Sequence, residues 1–335
     1  MTSVLHIVPG LEQCGNGMAV VARFLQTEQG GKVVDASIVE SKEISAADEI
    51  WVHSTWTLNV WRVSLLAMLM KKSIVRMTHG NLDPVRLKYS GWKKRLAGPI
   101  ERYILRKCDK IVVTCDAEKK WIEAYLGKRC PKVEVTDVKR FFSLGDRSQE
   151  SGVSEGFSRK ERKDRKENDG NGSKQETGSK KLNLLYLGRR HPLKGVEYLE
   201  AAVSELNSSN PPLPTPPLLK IVSNAFGEEK EKVWDWCDVL VLPTLSENFG
   251  LVVAEALERG KRVITTDGAP VWGYLGDEEH VEHAESEINV GYGGKLLYLN
   301  GFRYGTLQKR IKLLKDAIKR VGVLNSSTYV TYGAS

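Results

Sequence analysis

The sequence predicts an α/β chain made of two doubly wound, Rossmann-like units, each a mostly parallel sheet with helices on both faces. Three observations carry that expectation. Runs of β-branched and other apolar residues alternate with helix-length amphipathic segments. The alternation breaks off over 146–181 and then starts again. The chain of 335 residues is long enough for two cores, since one domain takes roughly 150 residues.

In the first unit, 4–8 reads as a strand, followed by a Gly-bearing turn and an apolar-periodic helix over 18–26. Strand signals at 33–39 and 49–53, a helix over 58–70 and a strand at 73–77 continue the pattern. An amphipathic helix over 91–106, strand 110–114, helix 118–126 and strand 133–138 complete it. Residues 146–181 hold ten basic and eight acidic side chains with Val153 and Phe157 as the large apolar residues, too few for a core. We read this stretch as a charged, disordered linker between an N-terminal domain at 1–145 and a C-terminal domain at 182–335. The second unit runs as strand 182–187, helix 196–206, strand 218–222, helix 228–236, strand 238–242, helix 251–258, strand 262–266 and a closing basic helix over 307–321. Two such units face a ligand cleft, because ligands bind outside the carboxyl ends of parallel strands.

Composition narrows the function. The longest apolar run, 63–70, contains Ser64 and is far shorter than the roughly 20 residues that cross a bilayer. The first ten residues carry no Lys or Arg, so no secretory signal is expected and the protein is expected in the cytoplasm. Five cysteines without a Cys-x-x-Cys pair suggest neither a disulfide framework nor a four-Cys zinc site. Asp-x-Asp, zinc-protease, Walker and Gly-x-Ser-x-Gly patterns are all missing from the sequence, so no metal or other cofactor is expected. The net charge of +8 sits in one place: residues 86–129 hold thirteen basic side chains against five acidic ones. Such a patch suits an anionic surface or is a solvated helical face. No recognised nucleic-acid motif accompanies it, and a nucleic-acid partner is not expected.

The segment Leu242-Pro243-Thr244-Leu245-Ser246-Glu247-Asn248-Phe249-Gly250-Leu251-Val252-Val253-Ala254-Glu255 is the most informative. A buried strand ends at Pro243, and Phe249-Gly250 open a helix whose first amide donors form an anion site. Glu247 and Glu255 can both face a ligand over that helix start, where carboxylates beside sugar and ribose hydroxyls would accept hydrogen bonds; otherwise Glu247 is a loop carboxylate and Glu255 a solvated helix residue. In Leu187-Gly188-Arg189-Arg190-His191-Pro192-Leu193-Lys194-Gly195 a strand ends in Gly and its loop brings cations to the cleft, with Arg190 also readable as a surface residue. Gly15-Asn16-Gly17 fills the first strand-to-helix turn, where small residues let backbone approach a phosphate. His79, in Thr78-His79-Gly80-Asn81-Leu82-Asp83-Pro84, falls at a strand's carboxyl end facing the cleft, with His53 as second choice.

The stretch from Pro243 to Glu255, with the following Arg262-Val263-Ile264-Thr265-Thr266-Asp267-Gly268, resembles the Glu-(seven residues)-Glu motif of the retaining family 4 glycosyltransferases of GT-B fold. The His-Gly segment at His79 is similar to that of the polysaccharide-forming members. The resemblance implies transfer of a sugar from a nucleotide-diphosphate donor to a hydroxyl of a glycan or lipid-linked acceptor in cell-surface polysaccharide or lipopolysaccharide biosynthesis, with retention and without a metal. It implies that Glu247 contacts donor-sugar hydroxyls, that Glu255 holds the ribose, and that Arg189 and Lys194 bind the diphosphate. The backbone of Asn248, Phe249, Gly250 and Leu251 would meet the sugar or β-phosphate, and His79 would act in the catalytic cleft. The basic patch would hold the acceptor-side domain against an anionic inner leaflet. The alternative is a non-catalytic GT-B relative that binds nucleotide sugar or a partner enzyme. Two departures stand out: the short Ser223-Asn224-Ala225-Phe226-Gly227 link where relatives insert further structure around the base, and the missing Pro-Asn-Gly segment near 135–140.

Overall fold

A computed structural model describes residues 3–13, 16–89, 91–136, 181–210, 216–223, 225–274, 288–291 and 295–326. The first sheet contains β1 (Val4–Val8), β2 (Lys32–Asp35), β3 (Glu49–His53), β4 (Ser73–Met77), β5 (Lys110–Val113) and β6 (Lys132–Val135), in the order β2-β1-β3-β4-β5-β6 with every pairing parallel. Its helices are α1 (Gly17–Gln29), α2 (Ser41–Ala46), α3 (Leu58–Leu69), α4 (Pro84–Tyr89), α5 (Gly91–Arg106) and α6 (Asp116–Leu126). The second sheet contains β7 (Leu182–Leu187), β8 (Pro217–Val222), β9 (Val239–Leu242), β10 (Arg262–Thr266), β11 (Ile288–Gly291) and β12 (Leu296–Leu299). Its order is β11-β12-β10-β9-β7-β8, parallel except for β11 against β12. Here α7 (Val196–Asn207), α8 (Gly227–Trp236), α9 (Leu251–Glu258) and α10 (Leu307–Ser326) are the helices.

The central strands are apolar on both faces because helices cover both, and β1 and β9 are buried along their whole length. The parallel strands reverse their order between β1 and β3 in the first sheet and between β7 and β9 in the second, and the loops leaving those strands diverge to leave a crevice. One apolar cluster spans both sheets, joining Val21, Phe24, Met77 and Cys115 to Leu245, Phe249 and Val253. Among the described residues no helix is long and apolar enough to cross a membrane.

Most elements start where the sequence predicts, and the differences have local causes. The strand expected over 33–39 ends at Asp35, whose carboxylate accepts from the amides of Ser37 at 2.7 Å and Leu11 at 2.6 Å and turns the chain away. Helix α2 was not expected; Glu40 and Glu43 form its capping box. Helix α4 and strands β11 and β12 were also unexpected, α4 being started by Asp83, which accepts from the Val85 amide at 2.8 Å. Strand β8 is an edge strand, because the short link to α8 adds no strand beyond it. The charged stretch expected as a linker lies outside the described residues except for Lys181.

Two polar features sit inside the first sheet. Arg76 of β4 and Glu101 of α5 are fully buried and paired at 3.0 Å. Arg76 also donates to Ser54 O at 2.7 Å and Ser64 Oγ at 3.0 Å, while Glu101 accepts from the Trp61 indole at 2.6 Å and the Trp56 amide at 3.0 Å. Both terminal guanidinium nitrogens and the Glu101 carboxylate are thus bonded, as a buried ion pair requires, while Arg76 Nε is enclosed without a partner. Arg76→Met, leaving Glu101 charged and unpaired, should cost about 3–5 kcal/mol in urea unfolding. The double variant Arg76→Met/Glu101→Leu should cost less than the single one.

The second feature is histidine. His6 and His53 are fully buried and His79 nearly so. Burial lowers the His6 pKa to about 4 and that of His79 to about 3, and it pushes His53 well below the usual range, with further repulsion from His79, His6 and Arg76. Below pH 6.5 the unfolded chain takes up protons on these rings that the folded chain refuses, so their contribution to stability rises with pH between about 4 and 6.5. The slope is up to about 1.4 kcal/mol per pH unit for each ring. Melting temperature should therefore fall steadily from pH 7 to pH 5, and a flat profile would mean that the rings are charged in the native state.

Candidate functional site

The loop after β7 and the loop after β9 flank the crevice of the second sheet. The first closes as a 3-10 turn at Pro192–Lys194, in which His191 Nδ1 accepts from the Leu193 amide at 3.1 Å. Gly195 ends that turn with φ +64°, and a Cβ there would run into the Pro243 carbonyl, so only glycine lets the two loops meet. Bonds from the Leu245 amide (2.8 Å) and Thr244 Oγ1 (3.0 Å) to the Leu193 carbonyl tie them together. The outcome is that Lys194 and Glu247, 53 residues apart, form an ion pair at the crevice. Burial pushes the Glu247 carboxyl up, but Lys194, Arg86 and its bond from the Asn248 amide outweigh this and hold its pKa below the ordinary value. Arg189 is exposed on the same loop, its carbonyl fixed by the Tyr186 hydroxyl at 2.9 Å. Arg190 turns away to Glu200 at the surface, 2.5 Å distant.

Gly250, at φ +68°, precedes α9, and no side chain caps that helix. The Val253 amide donates to the Gly250 carbonyl at 2.8 Å, which leaves the amides of Leu251 and Val252 for an anion. Phe249 points inward, its ring 5.4 Å from Trp272 and its carbonyl accepting from the Trp272 indole at 2.6 Å, so its backbone rather than its ring is offered to a ligand. Glu255 is buried and sits 2.7 Å from Lys230 of α8, a cation that the sequence did not single out.

The first sheet closes over this crevice through the loop after β4. His79, with φ +50°, and Gly80, with φ +68°, form its tip, and Gly80 packs against Asn248. Glu118 of α6 shapes the tip: its buried carboxylate accepts from Thr78 Oγ1 at 2.7 Å and the Gly80 amide at 2.6 Å, and from the Thr114 amide and hydroxyl at 3.1 Å each. Thr114 Oγ1 also lies 3.0 Å from Asn248 Oδ1. Asp83 accepts from Ser246 Oγ at 2.5 Å and pairs with Arg303, whose guanidinium lies 4.8 Å from the Trp121 ring. Arg86 of α4 reaches the Ser246 carbonyl at 3.4 Å, and the Tyr89 ring lies 5.4 Å from that of His191. His79, Lys194, Glu247 and Asn248 thus belong to one inter-sheet junction.

The Gly15-Asn16-Gly17 turn is placed differently. Gly15 lies outside the described residues. Asn16 is occupied by local structure: its Oδ1 accepts from the Met18 amide at 3.1 Å, capping α1, and its Nδ2 donates to the carbonyls of Pro9 and Gly10 at 3.0 and 2.8 Å. Gly17 faces Leu251, a contact that sets the starts of α1 and α9 opposite one another. Sequence reasoning missed Glu118, Arg86, Ser246, Lys230 and Arg303. Of these, Ser246 lies inside the Leu242-to-Glu255 segment, and Arg86 and Glu118 lie inside the basic stretch 86–129, where they count only as charges.

Residues 221–289 match the family Glycosyl transferases group 1. No curated protein matches the sequence. Among solved structures, sucrose-phosphate synthase from Thermosynechococcus elongatus is similar over 97% of this chain and 90% of its own, with TM-score 0.58 and 13% identity. Anabaena HepE in complex with UDP and glucose is similar over 97% and 93%, with TM-score 0.54 and 13% identity. An α,α-trehalose-phosphate synthase (UDP-forming) from Burkholderia vietnamiensis is similar over 97% and 100%, with TM-score 0.52 and 10% identity. These likenesses establish the two-sheet fold, and the family match falls on the segment that carries Glu247, Gly250 and Glu255. Residues 221–289 thus resemble the group 1 glycosyltransferases, in a chain whose two-sheet fold is shared with these solved structures along nearly its whole length.

Proposed function

We propose that the inter-sheet cleft binds a nucleotide-diphosphate sugar and transfers the sugar to a hydroxyl of a membrane-held glycan or lipid-linked acceptor, as cell-surface polysaccharide synthesis requires. The observation that carries the donor half is the meeting of Lys194, Glu247 and the uncapped α9 start at the strand-order reversal of the second sheet. Lys194 and Arg189 neutralise the diphosphate together with the α9 amides, Glu247 accepts hydrogen bonds from sugar hydroxyls, and Glu255 with Lys230 meets the ribose. The bond from the anomeric carbon to the phosphate oxygen breaks, the acceptor oxygen joins the same face, and its proton passes to the departing phosphate. Catalysis is then positioning and electrostatic preorganisation.

The acceptor half rests on α5. Trp92, Leu96, Ile100 and Tyr103 are exposed at 67, 72, 46 and 55% and fall on one face at i, i+4, i+8 and i+11. Lys93 flanks this stripe on one side and Arg95 and Arg106 on the other. An apolar stripe between cations suits the boundary of an anionic bilayer, where the apolar side chains enter and the cations meet headgroups. Tyr89, two residues before α5, touches His191 in the crevice, so this face adjoins the cleft mouth.

Lys194→Ala and Glu247→Ala should each lower turnover by about 100- to 1000-fold with the fold intact; near-normal activity in both would overturn the donor assignment. A thermal-shift screen of nucleotide sugars, UDP-sugars first because relatives of this fold are UDP-forming or hold UDP, should show one nucleotide class stabilising by about 2.7 kcal/mol at 100 times its Kd. Glu255→Gln should remove that shift. The protein should sediment with phosphatidylglycerol vesicles, less so as salt rises, and Trp92→Glu/Leu96→Glu should abolish binding. Equal binding to neutral vesicles would contradict the role of the cations.

A further inference from the structure

His6, His53 and His79 come from three neighbouring strands, or the loop just beyond one, and form a row. His6 lies in the middle of β1, His53 closes β3, and His79 stands two residues beyond β4. His6 Nδ1 is 3.3 Å from His53 Nε2, and His53 Nδ1 is 2.9 Å from His79 Nε2. The parallel register of β1, β3 and β4 makes this possible by setting His6 beside Trp51 and His53 beside Met77. At the inner end His6 Nε2 is fully enclosed and has no partner. At the outer end, among the described residues, His79 Nδ1 has no hydrogen-bond partner, and the ring keeps 6% exposure at the loop tip that packs against Asn248.

A neutral imidazole carries one N–H, so two consecutive N···N contacts force all three protons to point the same way. In one arrangement the N–H groups point inward, and the last proton sits on His6 Nε2 as a buried donor with no acceptor. In the other they point outward: His6 Nδ1–H donates to His53 Nε2, His53 Nδ1–H donates to His79 Nε2, and only a bare lone pair is left in the interior. A buried N–H without an acceptor is the rarer orphan, and this selects the outward arrangement. We propose that His6 and His53 are positioning residues that hold His79 as its Nδ1–H tautomer, presenting a fixed hydrogen-bond donor to the cleft.

The surroundings support a neutral row. Among the described residues no carboxylate bonds any of the three rings, and the charged group bearing on His53, Arg76, is itself paired with Glu101. The backbone also holds the outer ring in place: His79 has the left-handed φ of +50°, which costs a non-glycine residue about 1–3 kcal/mol. It is kept there by Glu118, which accepts hydrogen bonds from both neighbours of His79. Ser54, directly after His53, has φ +80° and donates its amide to the Met77 carbonyl at 2.9 Å, fixing the second ring against the same strand. On the reading of the cleft as the donor-sugar site, on which this role rests, the His79 Nδ1–H is aimed at an oxygen of the bound sugar.

The test is ring-nitrogen NMR on the full chain labelled with 15N-histidine, combined with steady-state kinetics on wild type, His53→Asn and His53→Leu. Asparagine keeps an N–H donor near the Nδ1 position, and leucine removes it. The expected result is an Nδ1–H tautomer at His79 in wild type and in His53→Asn, and its loss in His53→Leu. With the nucleotide sugar that the protein accepts, His53→Leu should lower kcat by about a hundredfold with KM little changed, and His53→Asn should recover most of it. An Nε2–H tautomer at His79 in wild type, or the same tautomer in all three proteins, overturns the proposal. Failure of every nucleotide sugar to bind would instead remove the functional reading and leave the tautomer result standing.

Discussion

One buried carboxylate joins the two halves of this molecule. Asp83 starts α4, accepts a hydrogen bond from Ser246 and pairs with Arg303, so a single side chain is anchored in the first sheet and bonded to two separate loops of the second. It is fully enclosed, and a buried charge of this kind persists only where its partners are held in place. The spacing of the loops that carry His79 and Glu247 follows from that requirement. With Asp83 satisfied, Gly80 is brought against Asn248 and the Thr114 hydroxyl against the Asn248 amide.

The second sheet contributes most of the electrostatics and the first most of the shape. Lys194, Arg189 and the α9 start gather positive potential where a diphosphate would lie, and Glu247 remains charged among them because the cations around it offset its burial. The first sheet's unit offers the Gly80 backbone and the His79 ring there, and adds Arg86 of α4, whose charge also favours the ionised Glu247. Glu118, although charged, faces inward and saturates its oxygens with four hydrogen bonds from residues of its own sheet. Its charge therefore serves the loop conformation and does not oppose the anion site.

Much of this was legible in the sequence, for identifiable reasons. The alternation of strands and helices follows from hydrophobic period, and the loops at Gly188 to Gly195 and Pro243 to Gly250 are contiguous segments whose residue types announce their chemistry. His53 and His79 could be singled out one at a time, because each ends a strand. Their row with His6 could not, since it depends on the register of three parallel strands. The Asp83, Ser246 and Arg303 junction spans separations of 163 and 220 residues and leaves no local trace. Asn16 shows the converse: a small polar residue before a helix suits a cap as well as a phosphate turn, and here its side chain is the cap. Helix α2, at six residues, is too short to show a period.

The short link between β8 and α8 has a consequence for how the protein behaves in a crowded solution. Among the described residues it leaves Pro217-Leu218-Leu219-Lys220-Ile221-Val222 as an edge whose outer backbone groups have no strand beside them. Such an apolar hexapeptide is of the kind that templates cross-β pairing between molecules. The one charge within it is Lys220, held 4.1 Å from the Trp236 ring, and the strand begins with a proline. Both are gatekeepers in the sense that they disfavour addition of a foreign strand. Lys220 thus carries the charge on an edge that would otherwise invite pairing between molecules, a task separate from anything the crevice does.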